Sequence, residues 1–171
     1  DQTPREYRKR VDASFASDRA FVRRAESLLP AGTMVWKLPY QPLPENGPIE
    51  KMQDYGLLRG YLNSTTLRWS YGAVKGREAD RWIRTLKDRP AAEQLELAAR
   101  SGFGAVYVDR RGFADQGVGM EATLRERLGP PLAQSDDGFL AIYRLQPTGV
   151  SAVRLEELLP PIETPIRFDL A

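Results

Sequence analysis

Apolar positions recur with a helical period near the amino terminus. Phe15, Phe21, Val22, Ala25, Leu28 and Leu29 form one stripe with charges between them, which predicts a helix over residues 1–30. Ser17 or Asp18 is placed to cap its second half, and Pro30 with Gly32 stops it. The pattern then changes. Thr33–Leu38, TMVWKL, is short and rich in β-formers, and reads as a strand. PYQPLPENGP follows, with four prolines in ten residues, and reads as an ordered loop because proline denies ladder donors. Ile49–Leu62 predicts a helix with Met52, Tyr55, Leu58 and Leu62 inward. Leu67–Tyr71 is a short extended segment, and Gly72 and Gly76 flank a turn.

The second half has clearer punctuation. Glu78–Leu86 is helical, with Trp82, Ile83 and Leu86 apolar. Pro90–Ser101 carries Ala91, Leu95, Ala98 and Ala99 at helical spacing and closes on Gly102. Phe103–Val108, FGAVYV, is a continuous apolar run suited to a buried sheet position. Gly119–Leu128 is a further helix, ended by Gly129-Pro130-Pro131. Pro131–Ser135 and Phe139–Leu145 flank Asp136-Asp137-Gly138, a strong hairpin signal. The predicted fold is α/β: a small mixed β-sheet flanked by helices, parallel at Phe103–Val108, with a C-terminal β-hairpin. Residues 1–149 form a single domain. Residues 150–171 form an extension that packs on it or leads out of it, with RLEELL as a short helix.

Composition narrows the chemistry. With 171 residues, 42% of them hydrophobic and 28% charged, the chain can build one core. A net charge of +2 makes no global case for nucleic-acid binding. There is no cysteine and no histidine, which excludes disulfides, thiolate and histidine metal sites, and histidine-based triads. Neither a metal nor an organic cofactor is expected. An enzyme here would work through carboxylates, Lys, Arg, Tyr or Ser. No apolar run approaches the roughly 20 residues that span a bilayer. The chain opens at Asp1 without a signal peptide, so a piece of a longer protein is expected. The charged run REYRKR near the start is a solvated helix end, or a juxtamembrane segment suited to anionic headgroups.

The most pointed stretch is Tyr55–Arg77. It holds Arg59, Arg68, Lys75, Arg77, Tyr55, Tyr61, Trp69 and Tyr71, and no carboxylate. Aromatic faces stack on sugars, and Arg and Lys hold phosphate or carboxylate. The plain alternative makes the aromatics core residues with wet polar tips. Gly72–Arg77 lacks the spacing of a phosphate-binding loop and is a turn carrying two cations. Asp109 sits at the carboxyl end of a predicted strand, where α/β proteins place ligands, but the reading favoured over a catalytic one pairs it with Arg110 or has it cap the next loop. The hairpin turn accounts for Asp136-Asp137. Glu45, Glu50 and Asp54 have no spacing that marks a catalytic pair.

The runs VWKLPYQPLPENGP, DYGLLRGYLNSTTLRWSYGAVKGR, GFGAVYVDRRGF and SDDGFLAIYRL, with a helix on either side of the third, carry a resemblance. Over about residues 20–146, in element order, the chain resembles the extracytoplasmic C-terminal soluble domain of polytopic bacterial sugar-transferase-like membrane proteins of the GT-C class. The resemblance implies a periplasmic domain beside the membrane portion of its own parent chain. There it would help position an acceptor glycan or lipid-linked phosphosugar. Arg59, Arg68, Lys75 and Arg77 would attract phosphate or acidic sugar, while Tyr61, Trp69 and Tyr71 would stack. The catalytic carboxylate of that family lies between early membrane helices, and no residue here matches it. Two other readings stand beside this one. The first is a free-standing carboxylate-dependent hydrolase or transferase using Asp54, Glu78 or Asp109. The second is a structural or protein-interaction domain whose aromatics are core.

Overall fold

A computed structural model describes residues 3–44, 47–71 and 74–148. Helix α1 (Pro4–Leu28) starts at a capping box, in which the Thr3 hydroxyl accepts from the Glu6 amide and the Glu6 carboxylate accepts from the Thr3 amide. It then runs unbroken for 25 residues. Ser17 and Asp18 therefore cap nothing. Asp18 faces inward, 1% exposed, because its position on the stripe faces the sheet beside Phe21, Val22 and Ala25.

The sheet has five strands: β1 (Met34–Leu38), β2 (Arg68–Trp69), β3 (Phe103–Asp109), β4 (Ala133–Gln134) and β5 (Leu140–Arg144), in the order β2-β1-β3-β5-β4. β1 runs parallel to β2 and β3, while β5 is antiparallel to β3 and β4. The continuous apolar run of β3 takes the central position, covered on both faces. The hairpin turns where expected. Gly138 supplies a φ of 76°, and the Asp137 carboxylate accepts from the Ser135 hydroxyl and the Phe139 amide.

Helices α3 (Glu78–Lys87), α4 (Ala91–Arg100) and α5 (Val118–Leu128) cover one face. There Leu86, Leu95, Ala98 and Leu124 meet Trp36, Leu38, Val106 and Val108. α1 covers the other face with the short α2 (Leu58–Asn63), and Phe21, Val22, Ala25 and Leu57 meet Val35, Tyr107 and Ile142. Each strand thus divides its residues between two apolar layers, as the two-residue pleat requires.

The expected helix over Ile49–Leu62 is not formed. Only its last turn and a half is α2. Upstream lie a bridge between Ile49 and Met52 and a series of turns, with φ of 51° at Glu50 and 59° at Tyr55. Positive φ breaks a right-handed helical ladder. Met52 and Leu57 still reach the core from these turns, whereas Tyr55 and Leu62 are exposed and Leu58 is only partly buried. Residues 150–171 and the expected RLEELL helix lie outside the described residues.

Candidate functional site

β1 and β3 end together, β2 stops three residues short of them, and polar residues gather at those ends. β1 alternates Val35 and Lys37 toward α1 and α2, and Trp36 and Leu38 toward the other helices. From β1 the chain passes to β2 on one side, then crosses back to β3 on the other. In open α/β sheets a strand flanked in this way has a crevice at its carboxyl end. Here that end is occupied by Lys37 and, after Pro39, by Tyr40 and Gln41. Beside it lie Ser70 and Tyr71 after β2, and Asp109 closing β3.

Lys37 is only 2% exposed. Its ammonium group donates to the Leu57 carbonyl and sits among three rings, 4.5 Å from the Trp69 centroid, 5.3 Å from Tyr107 and 5.7 Å from Tyr71. Among the described residues no carboxylate lies within 4.0 Å of it. Burial lowers its pKa to about 7, against the opposing pull of Asp109. The surrounding π-faces favour the charged form only in part. The backbone holds the residue in register: the Lys37 amide donates to Ser70 Oγ at 2.9 Å, and the Ser70 amide to the Val35 carbonyl at 3.0 Å.

A cleft of about 260 Å3, including its open mouth, runs in between the two helical layers. Lys37, Tyr40, Gln41, Ser70 and Tyr71 supply its polar lining, and Pro39, Leu57 and Ile83 its apolar walls. Two of these polar groups carry a buried atom without a hydrogen-bond partner, Tyr71 Oη and Gln41 Oε1. Burial, with Asp54 and Tyr55 nearby, pushes the Tyr71 hydroxyl up to about 12, so it stays a neutral donor. Gln41 is held by its other end, since its Nε2 donates to the Gly47 carbonyl at 3.3 Å. The loop walls are anchored by Asp80, fully buried in the first turn of α3. It accepts from Tyr40 Oη at 2.6 Å, the Gly76 amide at 2.9 Å and Arg84 at 2.8 Å. The enclosed part of the cleft has room for about one water-sized group, so a hydroxyl or a single phosphoryl or carboxylate oxygen suits its floor and a whole sugar ring does not.

The seven residues singled out in Tyr55–Arg77 take different places. Trp69 and Tyr71 both meet Lys37, and Trp69 also packs edge-on against Tyr107 at 5.7 Å. Arg59 turns to α1, where it pairs with Asp18 at 2.7 Å, donates to Ser14 and covers the Phe15 ring. Tyr61 is 60% exposed on α2. Arg68, Lys75 and Arg77 are exposed, the first on the edge strand, the others in the approach to α3. Asp109 is fully buried and accepts from Arg111 through Nε at 2.8 Å, Nη2 at 2.7 Å and the backbone amide at 3.1 Å. It caps the turn as expected, but its partner is Arg111 rather than Arg110, which turns to Glu121 instead. Burial opposes the Arg111 charge, but Asp109 outweighs it and raises the pKa. Asp54, Glu78 and Asp109 sit on a loop, a helix and a strand, and among the described residues no cluster of three potential metal ligands occurs.

Sequence reasoning missed Lys37 and Gln41. A usable signal was present: one lysine inside the apolar strand VWKL, on the same side as Val35. No helix among the described residues is long and apolar enough to cross a membrane. The fold and the cleft together define a small three-layer α/β domain with a polar crevice at the ends of its parallel strands. Comparison with known protein families, curated proteins and solved structures finds no match for the chain.

Proposed function

We propose that this domain binds the anionic head group of a sugar ligand, such as a lipid-linked phosphosugar, in the Lys37 cleft. It would position that ligand for the membrane-embedded portion of a sugar-transferase-like parent chain. The observation that carries the proposal is the cleft itself. A buried cation without a carboxylate partner opens into it beside Tyr71 Oη and Gln41 Oε1, two polar atoms that have no partner of their own.

The chemistry follows from these groups. An entering phosphoryl oxygen would replace the water that Lys37 has lost and restore full charge to the ammonium group. Tyr71 Oη would donate to the same anion, and Gln41 Oε1 would accept from a sugar hydroxyl. Affinity should then fall as pH rises above about 7, where the free protein's Lys37 loses its proton.

Calorimetric titration with glucose 1-phosphate and with a short polyprenyl phosphate tests this, with free glucose as control. Binding of a phosphate-bearing ligand, abolished by Lys37→Met and weakened about tenfold by Tyr71→Phe, is the expected result. Equal binding by Lys37→Met, or no binding of any phosphate compound, would refute the assignment and leave Lys37 as a structural cation.

A further inference from the structure

The positive charge of this protein is not spread evenly. Within a chain of net charge +2, α1 alone holds seven Lys and Arg against four Asp and Glu, so the remainder is slightly acidic. Three of those four carboxylates face inward or are engaged. Asp18 is buried against Arg59, and Glu26 accepts from the backbone amides of Thr65 and Thr66. Glu6 closes the capping box with Thr3, and Asp12 is the exposed acid that remains.

The cations also have a direction. Arg5, Arg8, Arg19 and Arg23 recur with Phe15 at intervals of three, four and seven residues, one stripe of the helix, and all are exposed. Between Arg5 and Arg23, Asp12 is the single carboxylate on that stripe, and Glu26 just beyond it is already engaged. Two contacts show that the stripe borders α2: the Arg59 guanidinium lies 4.4 Å from the Phe15 ring centroid, and Glu26 binds the segment that follows α2. α2 in turn exposes Tyr61 at 60% and Leu62 at 65%.

We propose that this combined face of α1 and α2 docks on an anionic lipid bilayer. The inference rests on the distribution of charge and apolar exposure, and is independent of what the Lys37 cleft binds. Arg5 to Arg23 extends over about 27 Å of helix, so these cations cannot converge on one small anion. They suit an extended negative surface. Leu62, one turn on from the Arg59 that meets Phe15, stands exposed beside the row of arginines with Tyr61 next to it on α2, and a headgroup region takes up both charge and apolar side chains. A nucleic-acid backbone would take the arginines and leave Leu62 in water.

Co-sedimentation of the whole chain with phosphatidylcholine vesicles, and with vesicles rich in phosphatidylglycerol, tests the proposal. Binding should require phosphatidylglycerol and weaken with salt. The double variant Arg19→Gln, Arg23→Gln should lose about thirtyfold in vesicle affinity. Tyr61→Ser, Leu62→Ser should remove the part of binding that survives raised salt. Both variants should keep the parent's circular dichroism, and any ligand affinity measured for the cleft, because all four residues are exposed. Equal binding to phosphatidylcholine, no vesicle binding, capture of duplex DNA in place of vesicles, or variants that match the parent would each overturn it.

Discussion

Stability should rise between pH 7 and about pH 9, and replacing Lys37 with methionine should remove the rise. In the unfolded chain Lys37 keeps its ordinary pKa of 10.5, whereas burial brings the folded value down to about 7. Between these values the unfolded state binds the extra proton, so stability increases with pH across that window. Treated as a single independent group, Lys37 contributes about 2 kcal/mol over the two units above pH 7. The window is chemically quiet, because the chain has no histidine or cysteine and burial holds Tyr71 and Tyr143 up near 12. Methionine keeps the length and apolar bulk of the side chain, so it should leave the ring cage filled. Urea unfolding followed by tryptophan fluorescence at three pH values reads the slope directly. A parent protein whose midpoint is flat or falls over this range, or a Lys37→Met variant with the parent's slope, would show that Lys37 keeps its charge in the fold and that the burial argument is wrong.

Two other substitutions test the packing around the site and the far end of the sheet. Gly60→Ala should push Lys37 toward the cleft and cost about 1–3 kcal/mol in urea unfolding, because the new Cβ would lie 2.8 Å from Lys37 Nζ and 3.2 Å from the Trp69 ring, which is packed edge-on against Tyr107. Glu121→Gln should cost about 2–4 kcal/mol, since that buried carboxylate receives Arg110, Arg125 and, at 2.5 Å, Tyr143 Oη. Burial opposes the Glu121 charge, but Arg110 and Tyr143 outweigh it and lower the pKa, so its contribution is present at neutral pH and lost as pH falls through the acid range. An acid-unfolding limb unchanged in Glu121→Gln would refute that role.

Individual elements were legible because their signals are local. The alanine-leucine period and Gly102 marked α4, FGAVYV marked β3, and Asp137-Gly138 marked the hairpin. The failure at Ile49–Leu62 is instructive for the same reason. Its apolar spacing suits a helix, but core contacts of Met52 and Leu57 are met from turns with positive φ at Glu50 and Tyr55. Periodicity cannot distinguish a helix face from two separate turns that bury the same residues. The candidate site was half legible. Trp69 and Tyr71 stood out as aromatics among cations, yet the group they surround is Lys37, more than thirty positions away along the chain, whose backbone amide donates to the Ser70 hydroxyl.

The sequence by itself determined the α/β class, the element order and the absence of thiol and imidazole chemistry, since each depends on composition or on patterns a few residues long. The tertiary structure decided which polar groups share a space. By crossing back from β2 to β3 over β1, the chain brings Lys37, Gln41, Ser70 and Tyr71 to one edge of the sheet. It sends Arg59 to Asp18 instead and locks Asp109 to Arg111. Strand order and pleat direction set those meetings, and both are properties of the assembled sheet that no short window of residues encodes.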